Sequence, residues 1–213
     1  SNLENMLSLT VINCSFMGGV AKFSGDVYIK TNTGGTVKRS IEFSQCSFKD
    51  SSPEGIFLYT NPATSISIKE CNFYTSSTIF FYADTPSAKI DNCAFNDMAS
   101  NAINYQALKD TMSNDHELRI ENCVFKQVSD SIDCLVYFIT KLSSSFYFIS
   151  NSITIENIKA CCLGSKDGVL FEVDGLNFDS NIITPGKENF IKTSNAVLIP
   201  ASCKNGFICT LEP

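Results

Sequence analysis

One short pattern recurs five times in this chain and constrains its fold more than any other feature. A polar residue, a cysteine, any residue and a phenylalanine appear as Asn13-Cys14-Ser15-Phe16, Gln45-Cys46-Ser47-Phe48, Glu70-Cys71-Asn72-Phe73, Asn92-Cys93-Ala94-Phe95 and Asn122-Cys123-Val124-Phe125. The cysteines are 32, 25, 22 and 30 residues apart. Two later segments, Ser150–Ile153 and Ser180–Ile183, continue the series with asparagine in the cysteine's place. Self-similarity at this period marks a stacked repeat, because loop insertions vary the step without disturbing the stack.

Each copy has the same internal grammar. A stretch with alternating apolar residues comes first: Ile41/Phe43, Ile66/Ile68, Leu118/Ile120, Leu176/Phe178. Strict alternation from the residue three before the cysteine would turn that cysteine outward. A two-residue bend resets the phase, so that Cys and Phe both face inward. The residue before each Cys or its Asn equivalent is Asn13, Gln45, Glu70, Asn92, Asn122, Ser150 or Ser180. Asparagine suits such a corner because it tolerates left-handed backbone and bonds locally.

A third segment follows in each copy: residues 56–59, 79–82, 102–105, 134–137, 169–172 and 190–193. Strand, corner, strand, loop, strand, loop reads as one coil of a single-stranded parallel β-solenoid. The expectation is an all-β chain of about seven coils, built on a Cys/Asn ladder and a ladder of Phe16, Phe48, Phe73, Phe95 and Phe125. One domain spans residues 1–213, with coils over about 7–200 and a tail or closure over 201–213. A β-sandwich would not hold Cys-x-Phe in register five times, and a propeller needs a longer step.

With these corners and ladders in place, the chain resembles the right-handed parallel β-helix, or pectin-lyase-like, superfamily over about residues 7–199. Within it, the repeat grammar is most similar to repeat-rich surface proteins rather than to the catalytic members. That resemblance implies an extracellular or cell-surface setting.

The cysteines admit three readings. Zinc needs ligands converging on one point; these cysteines are far apart in sequence and His116 is the only histidine, so no metal or cofactor is expected. Disulfides between stacked coils would join side chains that point the same way at a separation wider than the usual Cβ spacing. Buried free thiols filling a narrow corner are the favoured reading. Outside the series, Cys203 and Cys209 flank a short loop and form a candidate disulfide.

The superfamily includes polysaccharide lyases and hydrolases, which need clustered acids or paired aspartates with basic partners. The best acidic group here is an outward column of Lys69, Asp91, Glu121, Ser150 and Asp179, with Lys89 and Arg119 in the next column. Asp91, Glu121 and Asp179 are therefore the catalytic candidates, set against a solvated salt ladder as the plainer reading. No serine-hydrolase or phosphate-loop pattern is present. A net charge of −6 and only two arginines, Arg39 and Arg119, argue against a nucleic-acid partner. No apolar run is long enough to insert in a membrane.

The third segment is apolar on both alternate faces. One set is Ile56/Leu58, Ile79/Phe81, Ala102/Asn104, Cys134/Val136 and Val169/Phe171, expected to line the interior. The other is Phe57/Tyr59, Phe80/Tyr82, Ile103/Tyr105, Leu135/Tyr137 and Leu170/Glu172, expected to face outward. Phe57, Tyr59, Phe80, Tyr82, Tyr105 and Tyr137 are thus the candidate binding residues, for a protein or carbohydrate surface. The loops 106–117 and 154–168 are the segments that would hide this face if they folded back. The first coil begins near residue 7 without a cap helix, so a longer solenoid or self-association through the ends is expected. The sequence reads as a non-enzymatic structural or binding module for adhesion, carbohydrate contact or assembly. The alternatives are a polysaccharide lyase or hydrolase using the acidic column, and a fibre subunit stacking end to end.

Overall fold

The computed structural model describes residues 7–20, 25–31, 37–52, 54–61, 63–75, 77–83, 87–98, 101–107, 117–127, 134–138, 145–155, 161–165, 176–177, 182–185, 190–193 and 208–211. Among them there are strands and no helix, hence no helix long and apolar enough to cross a membrane. The strands stack into three parallel sheets of seven, seven and eight members. The first sheet runs from Ser8–Ile12 through Arg39–Ser44, Thr64–Lys69, Ser87–Asp91, Glu117–Glu121 and Ser145–Ile149 to Leu176–Asn177. The second begins at Ser15–Met17 and ends at Ile182–Pro185; the third begins at Val27–Lys30 and ends at Ile208–Leu211. From Arg39–Ser44 through Phe190–Thr193 each strand pairs with the one three before it, which is the connectivity of a β-solenoid, and Ile208–Leu211 pairs directly with Phe190–Thr193.

The corner between the first and second sheets is made as the repeat requires. Asn13, Gln45, Glu70, Asn92, Asn122 and Ser150 all have φ between 52° and 55°. That left-handed step turns the chain and resets side-chain alternation. Cys46 and Phe48, two residues apart across the bend, are consequently both buried, as are Cys71 with Phe73, Cys93 with Phe95 and Cys123 with Phe125. A second set of left-handed residues, Gly18, Asp50, Thr75 and Asp97, follows Phe16, Phe48, Phe73 and Phe95 by two positions. Gly, Asp and Thr at one offset were the signal for this bend, and the repeat pattern alone did not expose it.

The core is a stack of like on like. Phe16, Phe48, Phe73, Phe95 and Phe125 lie ring over ring with centroids 4.8, 5.0, 4.9 and 4.8 Å apart and planes within 10°. Strand spacing in a sheet sets this distance. Burying each ring contributes about 2–3 kcal/mol, with about 1 kcal/mol more for each stacked pair. The first sheet closes over them with Ile41, Phe43, Ile66, Ile68, Ile90, Leu118 and Ile120. Phe43 meets Phe48 edge-on at 69°.

The third sheet alternates as expected over two strands: Ile56, Leu58, Ile79 and Phe81 are buried, while Phe57, Tyr59, Phe80 and Tyr82 are only partly so. The next strand, Ile103–Ala107, is offset from that expectation. Ile103 pairs with Ile79 and Tyr105 with Phe81, so Ile103 and Tyr105 are core residues at 0% and 1% exposure. Asn104 takes the outward position beside Phe80. Tyr105 is therefore not part of the outer face, and Asn104 is not an exception in the inner wall. The alternation Ile-Asn-Tyr-Gln carries this phase in the sequence; aligning 102–105 with 79–82 by likeness hid it. The register also corrects the acidic column, since Ile149 and not Ser150 lies beside Glu121.

Candidate functional site

The outward face of the third sheet gathers aromatic side chains from three successive strands. Register places Tyr28 beside Phe57 and Phe57 beside Phe80 in one column, and Lys30, Tyr59 and Tyr82 in the next. Tyr28 and Phe57 have centroids 5.4 Å apart, Phe57 and Phe80 5.0 Å, and Tyr59 and Tyr82 5.1 Å. The Lys30 ammonium sits over the Tyr59 ring at 5.1 Å from its centroid, a cation–π contact that caps that face. Beyond Phe80 and Tyr82 the two columns continue as Asn104 and Gln106, and Tyr137 lies next to Asn104. Asn104 accepts a hydrogen bond from the Asn101 amide at 3.0 Å.

Ring orientation decides what such a face can hold. Phe57 and Phe80 are within 6° of parallel, so their flat faces are spent on each other and their edges point outward. An aromatic edge carries the positive end of the quadrupole and meets carbonyl oxygens or another ring's face. A sugar ring packs on a free flat face, and in this column the Phe57–Phe80 pair offers none between its members. Lys30 and Tyr28, from the same strand, went unremarked in the sequence because Val27–Lys30 carries no Cys-x-Phe landmark of its own.

The acidic column is a salt ladder. Lys89 Nζ lies 3.0 Å from Asp91 and 3.2 Å from Glu121. Arg119 donates to Glu121 Oε1 at 2.9 and 2.6 Å and rests over the Tyr147 ring at 4.0 Å. The Asn122 amide donates to the other Asp91 oxygen at 2.9 Å. Partial burial would raise the Asp91 pKa, but Asn122 and Lys89 together hold it below the usual carboxylate value. Both carboxylates have every oxygen engaged, and Asp91 is held as a poor proton donor. Lys69 pairs likewise with Glu42 at 2.6 Å.

The thiols at the corner are free. Cys46, Cys71, Cys93 and Cys123 donate to the carbonyls of Ser44, Lys69, Asp91 and Glu121 at 3.1–3.4 Å. Burial raises the Cys46 pKa; at Cys71 hydrogen bonding with Cys93 raises it, followed by burial, and Cys93 is raised first by Cys123. Such thiols are poor nucleophiles. In the next coil Asn151 is buried; its side chain accepts from Cys123 N–H at 2.9 Å and donates to the Ile120 carbonyl at 3.1 Å.

One polar cluster was not foreseen. Ser77 donates to Ser51 Oγ at 3.1 Å, and Ser51 donates to the Asp26 carboxylate, which also accepts from Gly19 N–H at 3.1 Å. Ser51 and Ser77 are fully buried, which puts this aspartate–serine pair out of a substrate's reach. It satisfies polar groups where the chain passes from the second sheet to the third. Asp179, Ser180, His116, Cys203 and residues 169–172 lie outside the described residues, as do the side chains of Cys134, Leu135, Cys161, Cys162 and Cys209. In comparisons with known proteins, no family model, curated protein or solved structure matches the chain.

Proposed function

We propose that this chain is a non-catalytic binding module that holds a protein partner on the outward face of its third sheet. The observation that carries the reading is the aromatic array of Tyr28, Phe57, Phe80, Tyr59 and Tyr82, in which Phe57 and Phe80 stand edge-on, rimmed by Lys30, Asn104 and Gln106. Tyrosine supplies large contact area with little entropy to lose and a polar tip. The edges favour backbone carbonyls and aromatic faces, which a protein surface provides and a neutral sugar chain does not. The engaged carboxylates of Asp91 and Glu121 weigh against the lyase or hydrolase alternative.

In the same reading, the three-sheet stack is a right-handed, pectin-lyase-like β-helix of about seven coils. Its thiol column is a Cys/Asn ladder that Asn151 continues, and its setting is extracellular or at a cell surface. Buried thiols with raised pKa are compatible with an oxidising exterior, because the reactive thiolate is scarce and shielded.

The test is a photo-crosslinking side chain placed at Tyr59, with a second at Lys49 on another face, each used in the native source. A partner joined at Tyr59 and not at Lys49 should bind the purified chain saturably. Phe57→Ser with Phe80→Ser should weaken that binding at least tenfold. Equal capture at both positions, or binding indifferent to the double substitution, would remove the proposal. Saturable binding of a defined oligosaccharide that depends on Phe57 and Phe80 would replace the protein partner with a glycan.

A further inference from the structure

The corner residue before each cysteine carries its side chain away from the coil. Gln45, Glu70, Asn92 and Asn122 are exposed even though a coil flanks each of them on both sides. Outward placement therefore belongs to the corner itself and not to a position at either end of the stack. Each corner N–H donates to a carbonyl of the next coil at 3.1 Å: Asn13 to Ser44, Gln45 to Lys69, Glu70 to Asp91, Asn92 to Glu121 and Asn122 to Ile149. The backbone alone fastens the corner, and the side chain is not needed to hold it.

Asn13 occupies this position with a φ of 52° and is exposed. The Gln45 amide donates to Glu70 and the Asn122 amide to Asp91, whereas Asn13 makes no side-chain hydrogen bond among the described residues. It also opens the triplet Asn13-Cys14-Ser15, the single Asn-x-Ser/Thr sequence in the chain. Ser15 is exposed as well, and Cys14 is a free thiol, so no disulfide ties the triplet down. The other asparagine corners lack the hydroxyl, because Ala94 and Val124 stand two residues after Asn92 and Asn122.

From this we infer that Asn13 is an N-glycosylation site. Its substrate class is a polyprenyl-pyrophosphate-linked oligosaccharide, delivered by the membrane-bound transferase that reads the Ser15 hydroxyl. Asn13 Nδ2 loses a proton and bonds the anomeric carbon. The bond from that carbon to the pyrophosphate oxygen breaks, and the lipid pyrophosphate leaves with the electron pair. Transfer takes place on the unfolded chain, so the fold has only to leave the modified amide room. The corner does so, since its backbone anchor is untouched and its side chain faces outward. It joins the first and second sheets, so a glycan there stands clear of the third sheet's outward face. The site rests on the extracellular or cell-surface setting proposed above and not on the binding role.

Peptide mapping of the protein from its native source tests this, with peptide-N-glycosidase in heavy-oxygen water converting a modified asparagine to labelled aspartate. Label is expected at Asn13 and at neither Asn92 nor Asn122. A second arm sends the chain through the secretory route of a eukaryotic host behind an appended leader. There Ser15→Ala should lose the glycan and Ser15→Thr should keep it. Circular dichroism should not change, because Ala94 already fills the same register position. Bare Asn13 in the native protein overturns the inference, and so does a glycan that survives Ser15→Ala. The host separates the causes: bare Asn13 in both arms faults the corner, whereas a glycan in the host alone faults the setting. Every readout is the mass of one peptide, taken without the third sheet's partner, so the binding role stands or falls separately.

Discussion

Lys89 holds Asp91 on its own strand and Glu121 on the next with one ammonium, at 3.0 and 3.2 Å. The charge is shared between coils, so it ties the stack together across the outer face of the first sheet. It also engages both carboxylates of the outward acidic column.

Replacing Lys89 with Met should therefore destabilise the chain modestly, by about 0.5–1 kcal/mol at neutral pH and low salt, and less in high salt. The pH dependence has a definite sign. Asp91 has a lowered folded pKa, so its contribution is present above the ordinary carboxylate value near 4 and is lost as pH falls through the folded one. Urea unfolding at a series of pH values should show wild type and Lys89→Met converging in acid. A gap that widens there would contradict the assignment.

Glu54 should behave in the opposite way. Burial raises its pKa to about 7, and its Oε2 is buried without a hydrogen-bond partner among the described residues. A carboxyl with a raised folded pKa favours the fold when protonated, and that advantage is lost as pH rises from about 4.5 through about 7. Glu54→Gln should therefore stabilise the chain by about 1–2 kcal/mol near pH 8 and change little near pH 4, after allowing for solvent screening. Thermal midpoints at the two pH values decide it.

The corner thiols should resist modification until the chain unfolds. In a pulse of iodoacetamide on native protein, peptide mapping should find Cys46, Cys71, Cys93 and Cys123 unmodified, with Cys14, only partly buried, labelled first among these five. All five should label in denaturant. Native labelling of Cys71 or Cys93 at the rate of a free thiol would show that the corner opens without unfolding.

Tyr105 and Tyr82 provide a matched contrast between a core ring and a surface ring. Tyr105→Ala should cost about 3–5 kcal/mol, as truncating a large buried side chain does. Tyr82→Ala should cost no more than about 1 kcal/mol, because that ring is partly exposed and its contacts with Tyr59, Phe57 and Phe80 are tilted surface contacts. Equal losses by urea unfolding would mean that the offset register of Ile103–Ala107 is wrong.

The repeat of Cys-x-Phe was sufficient to give three parallel strands per turn, a left-handed corner before each cysteine and a stacked phenylalanine core. These are local consequences: a bend residue, a two-residue phase and a like-on-like rung are all written within one copy of the pattern. Loop steps that vary from 22 to 32 residues do not fix how a third strand slides along its neighbour. Thus Tyr105 fell inside, Asn104 outside, and Tyr28 and Lys30 joined the outer face unannounced. The salt ladder was legible as a column of charges, but the sharing of Lys89 between two coils depends on side-chain reach across the sheet. Ring orientation on the outer face was likewise beyond the sequence. Strand spacing near 5 Å brings neighbouring rings together, but only their placement in three dimensions sets Phe57 within 6° of Phe80 and tilts Tyr59 from Tyr82 by 48°. The sequence by itself determined the repeating coil; the register between coils decided which of its surfaces are left to meet something else.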